Sequence, residues 1–160
     1  MVKNLDDVII QTATRIIVPF MQVYALYVYV HGHSSPGGGF QGGCIMAASF
    51  VLLAVAYNFN KARKRIKERT NLIMCALGVF IYVGTGLVPV FFGGNFIDYA
   101  KWSKILPVNE VMARYYGMAF IELGVQITVM AVMVSIFLDL ATAGLHEEIF
   151  EDKRDGIDIK

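Results

Sequence analysis

Few side chains in this sequence can do chemistry, and apolar surroundings set them apart. Glu122 stands inside the run GMAFIELGVQITVMAVMVSIFL (117–138), where it is the sole charge. A carboxylate at membrane depth costs ~2.5 kcal/mol or more unless it is paired or protonated, which makes it a candidate to exchange a proton or a cation. Gln126 follows one helical turn later on the same face. Arg15 is the one charge in another long apolar run, and Thr12, Pro19 and Gln22 share its face at helical spacing. Pro19 also removes the usual donor to the carbonyl of Arg15. Arg15 either snorkels to the near interface or pairs with an acid, for which Asp139, at the inner end of the last run, is the internal candidate. His31 and His33 flank Gly32, and imidazole titrates near pH ~6.5, which suits a proton relay. Their spacing does not share a helical face and no third ligand stands nearby, so no metal site is expected. Cys44 and Cys75 lie in apolar runs without a C-x-x-C pair, which argues against an iron–sulfur or structural zinc site.

These residues must be positioned by membrane helices. The chain is 56% hydrophobic and 17% charged, against roughly 25% charge in an average soluble domain. Runs at 8–30, 36–58, 71–92 and 115–140 each have the length needed to cross ~30 Å of hydrocarbon as a helix. The expected fold is therefore all-α, a polytopic membrane protein of four transmembrane helices spanning 1–142, with a polar tail at 143–160. The first run opens with MVKNLDD and is too long for the apolar part of a cleaved signal. KARKRIKERT (61–70) holds six of the fourteen Lys and Arg residues, so it is predicted to stay in the cytoplasm. Both termini are then predicted cytoplasmic, with the 31–36 and 93–114 connections outside. The lipid bilayer is the expected surrounding. There is no basic-aromatic surface for nucleic acid, and no nucleophile–base pair or nucleotide loop that would make the chain an enzyme by itself.

The segment HGHSSPGGGFQGG (31–43) packs six glycines between two of these runs. Ser35 reads as an N-cap and Pro36 as the first residue of the second helix. Each glycine that follows costs up to ~1 kcal/mol relative to alanine in a helix, so it needs a reason. Gly38 and Gly42, like Gly39 and Gly43, are four apart, a spacing that lets another helix backbone approach closely. Alternatively, a helix start loosened by Gly37, Gly38 and Gly39 exposes backbone groups to an ion or a water chain. In the third run Pro89 is predicted to kink or end the helix. The last span carries a small-residue seam, Gly117, Gly124, Thr128, Ala131 and Ser135, suited to packing on a helix. Counted from the span starts, Arg15 and Glu122 each lie about 10 Å from opposite faces, hence ~10 Å apart along the normal and not directly paired.

The string GHSSPGGGFQGG, which contains Gly32, His33, Pro36, Gly37, Gly38, Gly39, Phe40, Gly42 and Gly43, is followed by CIMAASFVLLAVAY, GGNFIDY (93–99) and IELGVQITVMAVMVSIFLDL (121–140). Together these resemble the MnhB/MrpB family over about residues 7–142, whose motif runs approximately G-H-x-x-P-G-G-G-F-x-G-G. The resemblance implies a small helical subunit, with no cofactor of its own, in the plasma membrane of a prokaryote. It would sit beside larger antiporter-like and other small helical subunits, in an assembly that exchanges sodium for protons. The same module occurs in membrane-bound hydrogenases and related complexes, so a redox arm is an alternative setting. A structural adaptor that moves no ion is the other alternative.

Overall fold

Helices as long as these are set by uninterrupted apolar runs, and four of them make up most of the chain. The computed structural model describes residues 5–33, 36–57 and 68–155. Its helices are α1 (Leu5–Val30), α2 (Gly39–Ala56), α3 (Glu68–Phe91) and α4 (Glu110–Asp155), with a 3-10 helix, Tyr99–Lys104, between α3 and α4. All regular structure among the described residues is helical. Segments Val8–Val30, Gly39–Ala56, Arg69–Phe91 and Glu110–Ala141 are long and apolar enough to cross a membrane.

Boundaries differ from expectation in two places. Helix α2 begins at Gly39, not Pro36, and Gly38 is its N-cap in extended backbone, φ −149° and ψ −151°. Gly37 and Gly38 gain nothing from being helical, because glycine loses the most backbone freedom there. The serine cap read at Ser35 lies outside the described residues. Helix α4 begins at Glu110, whose carboxylate in the first turn suits the positive end of the helix dipole. It then runs unbroken through residue 155, a 46-residue helix about 70 Å long at 1.5 Å per residue. Pro89 sits near the end of α3, which stops at Phe91. The Pro89 carbonyl accepts the amides of Phe92 and Gly94 at 3.1 and 3.0 Å, and Gly93, at φ +73°, turns the chain away.

The helices pack as a row in the order α1, α2, α4, α3, and α1 touches α4 only lightly. Two faces of α4 create that order. On one, a Cβ on Gly78 of α3 would strike the Thr128 hydroxyl and lie 2.8 Å from the Gly124 carbonyl. Asn71 of α3 donates to the Ala131 carbonyl at 2.8 Å and to Ser135 Oγ at 2.7 Å. The small-residue seam is thus the α3 contact, while Gly117 receives the ring of Tyr99 from the 3-10 helix. The opposite face of α4 meets α2. The buried apolar residues are mostly small, with Ala25, Ala47, Ala54, Ala113 and Ala131 among them. Large side chains point outward, with Phe20 and Phe80 at 72% and 77% exposure. This inversion fits helices in lipid, where close backbone contact replaces hydrophobic burial as the source of packing.

Candidate functional site

The turn from α1 to α2 lies against Glu122. A Cβ added to Gly32 would sit 2.6 Å from Glu122 Oε2, and one on Gly38 3.2 Å from the same oxygen. One on Gly39 would strike the Glu122 carbonyl and approach its Cα to 2.9 Å. One turn deeper the pattern repeats around Gln126. A Cβ on Gly42 would lie 3.0 Å from Gln126 Nε2 and 2.8 Å from the Ala25 carbonyl, and one on Gly43 2.8 Å from the Gln126 carbonyl. At Gly39 and Gly43 the obstacle is the α4 backbone, nearer than real Cβ atoms come, so only glycine lets α2 reach α4 there. The four-residue repeat of the α2 glycines therefore matches the four-residue repeat of Glu122 and Gln126. The close helix approach read from the glycine spacing has a specific partner, the polar face of α4.

Glu122 is half-buried and Gln126 only 4% exposed. Gln126 Nε2 lies 3.5 Å from the Ala25 carbonyl. From α1, the Tyr29 hydroxyl donates to the Ala119 carbonyl at 3.1 Å, and Tyr29 lies within electrostatic reach of both Glu122 and Tyr115. His33 meets the Tyr115 ring edge-on, centroids 5.0 Å apart, so it stands at the rim of the site. His31 turns elsewhere. It stacks on Tyr27 at 4.2 Å, with its Nδ1 3.1 Å from the Tyr27 carbonyl. Further down the α1–α2 contact, Ser49 is fully buried, receives Gln22 Nε2 at 3.5 Å and donates to the Met46 carbonyl at 2.6 Å.

The other sequence candidates are not gathered here. Arg15 and Asp139 are both exposed; among the described residues no ion pair joins them, and the helices that carry them touch only lightly. The depth estimate also needs correction. Helix α4 overshoots the α1–α2 turn, so Glu122 is level with Gly32 and Gly38 at the end of α1 rather than ~10 Å of normal away from Arg15. Arg15 precedes Gly32 by 17 residues, about 25 Å along the helix. Phe40 is 62% exposed and faces away from the site. Pro36 and Gly37 line, with Tyr24, Tyr27, Gln41 and Cys44, a groove of about 470 Å³ between α1 and α2. Among the described residues no three His, Cys, Asp or Glu side chains gather as a metal site.

Sequence reasoning missed Tyr29 and Ser49. Tyr29 is one of several aromatic residues near the end of an apolar run, and nothing in that pattern marks the one that reaches α4. Ser49 sits among alanines, where its hydroxyl reads as just another small side chain.

A family model described as a domain related to the MnhB subunit of Na+/H+ antiporters matches residues 9–135. A Staphylococcus aureus (strain Newman) protein provisionally named antiporter subunit mnhB2 is 29% identical over 136 residues, covering 85% of this chain and 95% of its own length. The proteins of the same name from strains JH1 and COL match to the same extent. The matched region holds Gly39–Ala56 and Arg69–Phe91 whole and most of Val8–Val30 and Glu110–Ala141, with the glycine turn and Glu122 among them. The chain belongs to the MnhB family, that of domains related to the MnhB subunit of Na+/H+ antiporters.

Proposed function

We propose that this chain is a small membrane subunit of a multisubunit Na+/H+ antiporter in a prokaryotic plasma membrane. It assembles with larger antiporter-like subunits and other small helical ones. The cytoplasmic side is that of the basic 61–70 segment and of both termini, by the bias of Lys and Arg toward the cytoplasm. The α1–α2 turn and Glu122 then lie near the outer face.

The observation that carries an ion-handling role is Glu122 of α4 held against the glycine turn. A half-buried carboxylate is a costly choice at a helix contact that glycine alone would satisfy. In this reading water enters through the turn, Glu122 takes up and releases a proton or a cation, and His33 at the rim passes protons on. The ion continues to a larger neighbouring subunit. The test is Glu122→Gln in the assembled complex, reconstituted in vesicles. Loss of sodium-driven proton movement with all subunits present is the expected result. Wild-type exchange from an intact complex overturns the role.

A structural adaptor that moves no ion is the second reading, favoured by the match between the α2 glycines and the α4 backbone. Under it, Glu122→Gln leaves exchange intact and only substitutions at Gly39 or Gly43 do harm, through lost assembly. Mass spectrometry of the subunits that purify with the tagged chain identifies its neighbours and separates a stand-alone antiporter from one joined to a redox arm.

A further inference from the structure

We propose that the segment GGNFIDY (93–99) is a docking surface for a neighbouring subunit, with Ile97 as the anchor that enters an apolar socket on that subunit. The inference rests on the reading of this chain as part of a multisubunit assembly and names one surface that joins it.

The backbone comes first. The Phe96 ring lies against Gly86 of α3, and the Tyr99 ring lies against Gly117 of α4. These two rings, each over a glycine, seat the 3-10 helix across both helices as a shelf. Between them stands Ile97 at φ +71°, the one non-glycine residue with positive φ among the described residues. A β-branched side chain is badly matched to that conformation, which glycine adopts freely. The backbone of residue 97 donates its N–H to the Gly86 carbonyl at 3.2 Å, a bond that glycine would make equally well. Strain of this kind persists where something else gains from it. Within this chain Ile97 gains little, since its side chain stands 43% exposed. A second cost falls on the same shelf: Trp102 Nε1 is buried with no acceptor among the described residues, which is uncommon for a buried donor.

The surface around Ile97 is large. Phe91 is 83% exposed, and Phe92, Phe96 and Ile105 are each two-fifths exposed or more. At about 200 Å² for a fully open large side chain, these five residues leave roughly 500 Å² of apolar surface open. One partner in a standard interface contributes about 800 Å², so this surface is a substantial part of what stable docking needs.

Strain decides what covers it. Lipid accepts any apolar side chain on any backbone, so it gives no reason to hold isoleucine where glycine fits. A fixed socket does, because it rewards one side chain at one place. The rim sets the charge of the partner. Lys101 and Lys104 flank the apolar residues; Lys104 Nζ donates to the Phe92 carbonyl at 3.2 Å, and neither lysine forms an ion pair among the described residues. The socket that fits is apolar at its centre and acidic at its edge.

The test is photo-crosslinking in the purified complex, with benzoylphenylalanine in place of Phe91. A discrete adduct with one other subunit, identified by mass spectrometry, is expected. Ile97→Gly keeps the backbone and removes only the anchor. It is expected to release the cross-linking partner roughly tenfold faster on dilution in detergent, the value of one buried aliphatic side chain. Ile97→Val is expected to restore most of the retention. Lys101→Glu is expected to speed release more at low salt than at high salt. Adducts with phospholipid alone assign the surface to the bilayer and overturn the proposal, as does release at the wild-type rate from Ile97→Gly. Should Ile97→Gly fail to accumulate, Ile97→Asn serves, since asparagine also accepts this backbone, and wild-type retention there overturns the proposal equally. Failure of the multisubunit reading looks different: the chain then purifies with no other subunit at all, and both fall together.

Discussion

Replacing Gly39 by alanine tests the packing on which the site depends. Gly39 is buried at the first turn of α2. The new Cβ would strike the Glu122 carbonyl oxygen and lie 2.7 Å and 2.9 Å from its carbonyl carbon and Cα. Ordinary carbon contacts begin near 3.5 Å, so α2 must withdraw from α4 by about 1 Å. The obstacle is backbone, which cannot rotate aside. Overpacking of this kind costs about 1–3 kcal/mol, and the shift also pulls Gly42 and Gly43 away from Gln126. Gly84→Ala is the control, since nothing lies within 4 Å of its Cβ position and alanine in mid-helix gains up to ~1 kcal/mol over glycine. The assay is thermal unfolding of the detergent-solubilised complex, followed by the yield of complex that retains this subunit. Gly39→Ala is expected to lower the midpoint by roughly 2–12 °C, at about 2–4 °C per kcal/mol for a chain of this size. Gly84→Ala is expected to match or exceed the wild type. If Gly39→Ala is neutral, the α2–α4 contact is not as close as described. If Gly84→Ala is the damaging one, a neighbouring subunit packs on α3 there and the control fails.

Two further outcomes concern the shelf above the site. Gly117→Ala puts a Cβ 2.6 Å from the Tyr99 ring and should displace the 3-10 helix at a cost of about 1–2 kcal/mol. Trp102, the single tryptophan, stacks on Phe120 at 5.7 Å, so its emission should shift to the red; unchanged emission refutes the contact. Burial and the neighbouring Tyr82 hold the Tyr99 phenol above its ordinary value of 10.0. The folded state therefore binds the proton more tightly than the unfolded state. That stabilisation is complete below pH 10 and is lost as the pH rises through the folded value. Alkaline titration should loosen the shelf, read by Trp102 emission, and Tyr99→Phe should remove the transition; persistence of the same transition in Tyr99→Phe refutes its origin in Tyr99.

Much of this architecture is legible in the residues, for identifiable reasons. The four candidate spans follow from apolar run length, because a single segment satisfies its own backbone groups in lipid only as a helix. Gly38, Gly39, Gly42 and Gly43 announce a close contact by spacing alone. Their partner does not follow, since Gly78 and Gly124 advertise the same kind of contact with equal force. Hydropathy carries no record of which helix lies beside which, so the row α1, α2, α4, α3 is absent from it. The depth of Glu122 differs from the expectation for a related reason. Tyr115 reads as the start of a span, whereas α4 begins at Glu110 and overshoots the α1–α2 turn, so that depth counted from a span start is not depth measured from the turn. Helix α2 starts late because Gly39 must fit the Glu122 backbone, a tertiary contact that no local capping rule anticipates.

Among the described residues the row also leaves α1 with one main partner, α2, and Arg15 exposed. Pro19 removes the usual donor to the Arg15 carbonyl, so a charged side chain and an under-bonded backbone oxygen occur together. Thr12, also exposed, cannot help, because its hydroxyl is bonded to the Val8 carbonyl at 2.8 Å. Arg15 lies seven residues beyond Val8, where the apolar segment begins, about 10 Å into it. Facing lipid there, the guanidinium costs about 2.5–3.5 kcal/mol near the bilayer centre and less toward the interface, and lipid offers the carbonyl no donor at all. A neighbouring subunit that brings an acid and a hydroxyl or amide donor relieves both. Arg15→Leu is therefore expected to release a neighbouring subunit from the complex while this chain still reaches the membrane, and Arg15→Lys to retain it in part, since lysine keeps the charge but not the bidentate geometry. Snorkelling to the interface predicts the reverse for Arg15→Leu, because a leucine at that depth suits lipid better than arginine does. Subunit composition by native gel and mass spectrometry decides between them: a complete complex with Arg15→Leu removes the case for a partner at this face.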